Sequence, residues 1–180
     1  ISSPYNFMVS NYMGTYNMLE ATRRYLNNNK NRDFKFIYIS TDEVYGSLEI
    51  GEKTFDENSN FLPNSPYSAS KASGNHLVRS YFKTYKLPTI STYCSNNYGP
   101  YQYPEKLIPL VIKNAINGES IPIYGKGQQI RDWIYVDDHI SALYEIAKKG
   151  AIGENYNIGA QNEITNLGLV KIVCNLLDKK

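Results

Sequence analysis

Hydrophobic positions along the chain switch between a spacing near 3.6 residues and short, continuous β-rich runs. Ser3 and Pro4 supply an N-cap and a first helical residue, after which Met8, Tyr12, Leu19 and Leu26 recur at helical spacing up to the asparagines at 27–29. Residues 34–40, FKFIYIS, and 88–95, PTISTYCS, are too apolar for surface strands and read as interior parallel strands. Between them Ser65 and Pro66 open a helix that runs to about Tyr85, and Pro88 blocks its extension. The order helix, strand, helix, strand predicts an α/β fold: part of a doubly wound parallel sheet, whose ligands sit beyond the carboxyl ends of the strands.

After Ser95 the texture changes to a loop rich in Asn, Gly, Pro and Tyr. The pattern then predicts a helix over 105–117, strands over 121–124 and 133–136, a helix over 137–148, a strand over 156–158 and a closing helix over 165–177. Asp137 and Asp138 in the first turn and Lys148 and Lys149 at the end suit the helix macrodipole. Two regions follow: residues 1–95 as the later part of the doubly wound domain, and 96–180 as mainly a smaller mixed α/β lobe with segments returning to the first. No strand runs into the GxGxxG-like turn that such a sheet uses to seat a dinucleotide pyrophosphate. Since the chain opens with a helix, the expectation is a fragment whose first strands precede Ile1.

At 180 residues the chain can bury a core without disulfide or metal staples. Nineteen Lys plus Arg against 17 Asp plus Glu, interspersed, give a net charge of +2 and no basic block for a nucleic acid to follow. Cys94 and Cys174 stand far apart, outside any CxxC or Cys/His cluster, so neither a disulfide framework nor a zinc site is expected, and a reducing cytoplasm is the default. No apolar run reaches the roughly 20 residues of a spanning helix, so no membrane partner is expected either.

Tyr67-Ser-Ala-Ser-Lys71 lies just inside the helix opened by Ser65. Four residues advance a helix by about 400°, which places the phenol and the ammonium on one face, one turn apart. A useful phenolate at neutral pH needs a downward shift of ~2 to 3 units, for which a nearby Lys and a bound cationic ring are the right kinds of cause. Alone, YxxxK is weak, and an ordinary amphipathic helix start explains it as well. The strand ending in Ser40 runs directly into Thr41-Asp42-Glu43-Val44-Tyr45-Gly46, which puts a hydroxyl and two carboxylates at the ligand-binding edge of the sheet. Side chains diverge there, so Asp42 and Glu43 can take the separate environments that an acid and a base require. The plainer alternative is a polar turn with an N-cap. His76 falls about 900° from Tyr67 around the helix, and His139 has no second metal ligand at a suitable spacing, so both are set aside. Gly125-Lys126-Gly127 lacks phosphate-loop spacing and reads as a turn.

STDEVYG at 40–46, NSPYSASKA at 64–72, CSNNYGPYQYPEKLIP at 94–109, GQQIRDWIYVDDH at 127–139 and YNIG at 156–159 resemble, in order and over essentially the whole chain, the dTDP-glucose 4,6-dehydratases of the extended short-chain dehydrogenase/reductase family. The resemblance implies a Rossmann-type NAD domain over 1–95, a substrate lobe over most of 96–180, NAD as cofactor and a homodimer. It implies that Tyr67, helped by Lys71, takes the sugar C4 hydroxyl proton, that Thr41 hydrogen-bonds the same oxygen, that Glu43 removes the C5 proton, and that Asp42 protonates the departing C6 hydroxyl. It further implies cofactor contacts from Ser10, beside Asn11, and from Tyr67, Lys71 and Asn97. Sugar-nucleotide contacts are implied for Thr41, Asn96, Glu105, Lys106, Leu107, Pro122, Ile123, Tyr124, Arg131 and Asn166, with Arg131 on the pyrophosphate. Asn96 and Asn97 also read as turn formers. Competing readings are another NAD-dependent sugar-nucleotide dehydratase or epimerase, or, for these 180 residues alone, a non-catalytic remnant.

Overall fold

Phe36 donates its amide to the Pro88 carbonyl, and from that bond the first sheet is laid down. The structure, a computed structural model, describes residues 3–29, 33–48 and 54–178. Strand β1 (Phe36–Thr41) pairs in parallel with β2 (Thr89–Cys94), and β2 pairs in parallel with β5 (Asn155–Ile158), in the order β1-β2-β5. β2 is interior and almost wholly buried, as its run of apolar and small residues requires. β1 is an edge strand among the described residues, and Ile39 is 46% exposed on it.

Helix α2 (Pro66–Tyr85) joins β1 to β2 and packs on both. Ser65 caps it through a reciprocal pair in which its hydroxyl accepts from the Ser68 amide while Ser68 Oγ accepts from the Ser65 amide, with Pro66 in the first turn. Lys86, in the left-handed conformation, ends it. Helix α1 lies against α2 and runs over residues 5–28. Its start departs from expectation: Pro4 is the N-cap, without a side-chain cap bond, and Met8–Met13 is π-helical, with the Gly14 amide bonded to Val9 O five residues back. Leu19, Tyr38, Val78, Tyr81 and Leu87 form the core between α1, α2 and β1. Gly74 permits this approach, because a Cβ there would fall 2.2 Å from the Tyr38 hydroxyl.

The chain divides into two units, Ile1–Cys94 with Ala142–Ile158, and Ser95–Ser141 with Gly159–Lys180. The second unit has its own sheet, β3 (Asn96–Tyr98), β4 (Ile130–Tyr135) and β6 (Glu163–Thr165), with β3 parallel and β6 antiparallel to β4. Asn96 and Asn97 are therefore strand residues rather than turn formers, a correction that follows from their pairing with Trp133 and Ile134. Residues 121–124 form no strand: Pro122, Ile123 and Tyr124 are exposed and irregular. Helix α3 (Leu107–Asn117) starts two residues later than expected, with Lys106 as N-cap and Pro109 tolerated in the first turn. Helix α4 (Val136–Lys149) crosses from the second unit to the first, and α5 (Asn166–Leu176) is capped by the Thr165 hydroxyl. Gly125–Gly127 is the expected turn, closed by the Gly127 amide on Tyr124 O. Among the described residues no helix is long and apolar enough to cross a membrane, and no cluster of three His, Cys, Asp or Glu residues could hold a metal.

Candidate active site

At the carboxyl end of β1 the chain tightens into a 3₁₀ turn, Asp42–Tyr45. Thr41 caps it: its hydroxyl accepts from the Glu43 amide at 3.3 Å and donates to Asp42 Oδ1 at 3.2 Å. Val44 and Tyr45 anchor the turn, both fully buried, and Tyr45 sits among Phe55, Phe61 and Tyr93 with ring centroids 5.2–5.6 Å away. Its hydroxyl donates to Asn157 Oδ1 at 2.8 Å, which ties the turn to β5. Gly46 follows at φ 105°, where a Cβ would lie 2.6 Å from Leu62 O. With the apolar half of DEVY buried, Asp42 and Glu43 are left half-buried at the sheet edge.

Tyr67 lies in the first turn of α2, with the Phe7 ring edge-on at 5.5 Å. Burial, and then the negative charge of Glu43, push its phenol up to about 12, with Cys94, Tyr38 and Asp42 adding in the same direction. The phenol therefore feels both carboxylates of the 3₁₀ turn. Lys71 Nζ donates to Ile39 O at 2.7 Å and stands 4.5 Å from the centre of the Tyr38 ring, and burial lowers its pKa. Desolvation and the nearby carboxylates thus set the direction for Tyr67, while the Lys71 ammonium donates to the strand carbonyl. One turn on, Asn75 Nδ2 donates to Ser40 Oγ at 2.9 Å, so successive turns of α2 are pinned to successive residues of β1.

Sequence reasoning missed the support beneath Tyr67. Asn11, in the π-helical stretch, donates from Nδ2 to Ser70 Oγ at 2.9 Å, and Ser70 Oγ donates to Tyr67 O at 2.6 Å. The helical reading of 3–26 carried no sign of this, although π-helical segments concentrate at functional sites. Ser10 is the exposed neighbour of Asn11.

The second unit holds the remaining candidates. Asn96 is half-buried on β3; Asn97 Nδ2 donates to Ser95 O at 3.0 Å, and its carbonyl accepts from Gln102 Nε2 at 2.9 Å. Glu105 and Lys106 are exposed in the turn before α3, and Leu107 is its first residue. Arg131 is exposed on β4, its guanidinium on the Ile130 carbonyl, in register with Ile164. Asn166 begins α5 and donates its amide to Gln129 O, while the next amide, Leu167, bonds Gly127 O. These bonds, with Gly127 against Ile123, bring the 122–127 segment, the start of β4 and the start of α5 together. His139 is buried in this unit against Asn97, and spacing gave no hint of that contact.

The chain is 54% identical over 190 residues to the dTDP-glucose 4,6-dehydratase of Shigella flexneri, covering 99% of this chain and 53% of that protein. Against the dTDP-glucose 4,6-dehydratase of Neisseria meningitidis it is 52% identical over 182 residues, covering 99% of this chain and 51% of that one. It superposes with a TM-score of 0.91 and 48% identity on the Bacillus anthracis dTDP-glucose 4,6-dehydratase solved with NAD, covering 99% of this chain and 55% of that one. A UDP-glucuronic acid 4-epimerase from Bacillus cereus, solved with UDP-glucuronic acid and NAD, gives 0.86 at 32% identity, with 96% of this chain and 53% of that one covered. The chain thus spans about half the length of the curated relatives it matches. A family model described as GDP-mannose 4,6 dehydratase matches residues 1–180, and the chain belongs to that family.

Proposed function

We propose that the protein carrying this chain converts dTDP-glucose to dTDP-4-keto-6-deoxyglucose, using NAD as a cofactor that is regenerated in each cycle. The observation that carries this reading is the Thr41-Asp42-Glu43 turn, which sets a hydroxyl and two half-buried carboxylates at the carboxyl end of β1. A 4-epimerase needs one proton-transfer group at C4, whereas loss of water across C5 and C6 needs a further base and a further acid, and two adjacent half-buried carboxylates supply them. The relatives named dTDP-glucose 4,6-dehydratase support the thymidine nucleotide.

The donor set fits the nicotinamide end of NAD: a half-buried phenol and ammonium at Tyr67 and Lys71, and an exposed hydroxyl at Ser10. Those residues, with Asn97, would hold it, and when bound it supplies a hydride acceptor for C4 and a hydride donor for C6. Tyr67 takes the C4 hydroxyl proton as the alcohol becomes a ketone, with Thr41 hydrogen-bonding that oxygen and Lys71 favouring the phenolate. The ketone acidifies C5–H, and Glu43 removes that proton. Asp42 protonates the C6 hydroxyl as its C–O bond breaks, so one water leaves. Glu43 would return its proton to C5 as C6 accepts the hydride that bound NAD would supply, completing the 4-keto-6-deoxy sugar. Arg131, a planar five-donor cation, suits the pyrophosphate, while Asn96, Glu105, Lys106, Leu107, Pro122, Ile123, Tyr124 and Asn166 line the nucleotide's path. On this reading residues 1–95 serve the cofactor and 96–180 mainly the substrate.

The family resemblance supports a homodimer, and exposed Met8, Tyr12 and Tyr16 on α1 offer it apolar surface. A cytoplasmic location suits the use of NAD. The test is to incubate the protein, expressed from its complete reading frame, with dTDP-glucose and NAD. The expected product is lighter than substrate by one water. A 4-epimer of unchanged mass, or turnover only of UDP- or GDP-sugars, would replace this reading with one of its competitors.

A further inference from the structure

Asn97 and His139 meet within the second unit through a 2.7 Å contact between Asn97 Oδ1 and His139 Nδ1. The chemistry of the neighbours fixes the direction of every bond in this group. A backbone carbonyl only accepts, so the Asn97 atom that lies 3.0 Å from Ser95 O is the amide nitrogen, and the atom facing His139 is the oxygen. An amide oxygen in turn only accepts, so His139 Nδ1 carries the proton. That leaves Nε2 as a bare lone pair, and Nε2 is buried without a hydrogen-bond partner. Protonating it would bury an unpaired N–H and a charge, and burial accordingly lowers the His139 pKa. The imidazole, 6% exposed in the first turn of α4, is held neutral as a one-way donor.

We propose that His139 is a positioning residue that sets the donor and acceptor polarity of the Asn97 carboxamide. An Asn side chain can flip by 180° and exchange its oxygen and nitrogen with little change in shape. Here His139 on one side and Ser95 O on the other allow a single orientation, which leaves one N–H and one lone pair of the carboxamide for a ligand. Gln102 Nε2 on the Asn97 carbonyl holds the main chain at the same residue, so both the side chain and the backbone of Asn97 are fixed. The inference rests on the proposed cofactor role of Asn97 and adds to it the residue that decides what Asn97 can present.

Nitrogen-15 spectra of histidine-labelled protein identify the His139 signals by comparison with a His139 variant. The expected signature for His139 is the neutral form protonated on Nδ1. Two variants then read the consequence in NAD affinity of the protein from its complete reading frame. His139→Leu, which cannot donate, is expected to weaken NAD binding about tenfold, the loss of one well-placed hydrogen bond. His139→Asn, whose amide N–H can donate from a similar position, is expected to recover most of that loss. Protonation on Nε2, or His139→Asn binding no better than His139→Leu, overturns the proposal. If the leucine variant does not fold, the tautomer and the asparagine variant still decide it. If the unaltered protein takes up no NAD, the cofactor reading of the previous section fails, while the tautomer decides the His139 lock by itself.

Discussion

Lys71 Nζ donates a 2.7 Å hydrogen bond to the main-chain carbonyl of Ile39, two residues before Thr41. One side chain thus ties the helix that carries Tyr67 to the strand that delivers Asp42 and Glu43. If the proposed reaction holds, Lys71→Met should lower turnover of dTDP-glucose by at least about a hundredfold, the usual scale for losing an acid–base assisting group. Lys71→Arg should not rescue it, since a planar fork cannot place a point charge on the Ile39 carbonyl and over the Tyr38 ring together. Steady-state kinetics of the two variants decide this, and wild-type rates for Lys71→Arg would count against it.

Helix α2 was legible from sequence because its signals are local: Ser65 and Pro66 start it, and Pro88, three residues past its last residue, prevents its continuation. The Asp42–Glu43 turn was legible for a related reason, since an apolar strand running into polar residues announces its own carboxyl end. What failed were features set by distant partners. Asn-Asn-Tyr at 96–98 has weak strand propensity and becomes β3 only through pairing with residues 133–135. Ile-Pro-Ile-Tyr at 121–124 has the strand pattern but no strand to pair with, and Ile123 instead packs near Leu167 over Gly127. The Asn97–His139 contact spans 42 residues and obeys no periodicity.

Gly74 faces the Tyr38 hydroxyl so closely that an added Cβ would fall 2.2 Å from it and 3.2 Å from Asn11 O. Tyr38 is buried and donates to Lys71 O at 3.3 Å, so it has little room to give. Gly74→Ala gains helix propensity yet should destabilise the protein by about 1–3 kcal/mol through overpacking. Urea unfolding measures the sign, and a stabilised variant would refute the close contact.

Burial raises the phenols of Tyr67 and Tyr93 to about 12, and that of Tyr45 upward as well. An unfolded tyrosine titrates near 10, so above that pH the unfolded chain loses protons that the native state keeps. The stability these groups contribute is fully present below about pH 10 and falls as pH rises towards about 12. Urea midpoints at pH 8 and pH 11 should therefore differ strongly, and Tyr93→Phe should show a smaller alkaline decline than the unaltered protein. An equal decline in both would show that Tyr93 is not the source.

Lys35 Nζ donates to the carbonyls of Ala147, Lys148 and Gly150 at 2.9, 3.2 and 3.1 Å, which closes the carboxyl end of α4 from the side. A cation on the last carbonyls of a helix is favoured by both hydrogen bonding and the macrodipole. Lys35→Met keeps most of the aliphatic stem and should cost about 1 kcal/mol, less at high salt, with little effect on catalysis. Thermal unfolding at two ionic strengths tests both the size and the salt dependence.

The two carboxylates of the 3₁₀ turn can be told apart by isotope exchange, because their proposed tasks fall on different bonds. If Glu43 takes the C5 proton, Glu43→Gln should still allow oxidation at C4 but reduce wash-in of deuterium at C5 by at least about a hundredfold. If Asp42 only assists departure of the C6 hydroxyl, Asp42→Asn should retain C5 exchange while slowing release of water by a similar factor. The turn geometry favours separable roles: Asp42 accepts from the Thr41 hydroxyl, while Glu43 is the carboxylate that acts more strongly on the Tyr67 phenol. Mass spectrometry of the sugar nucleotide recovered from heavy water reads both steps in one experiment. Deuterium entering C5 at the wild-type rate in Glu43→Gln would remove Glu43 from the role of base.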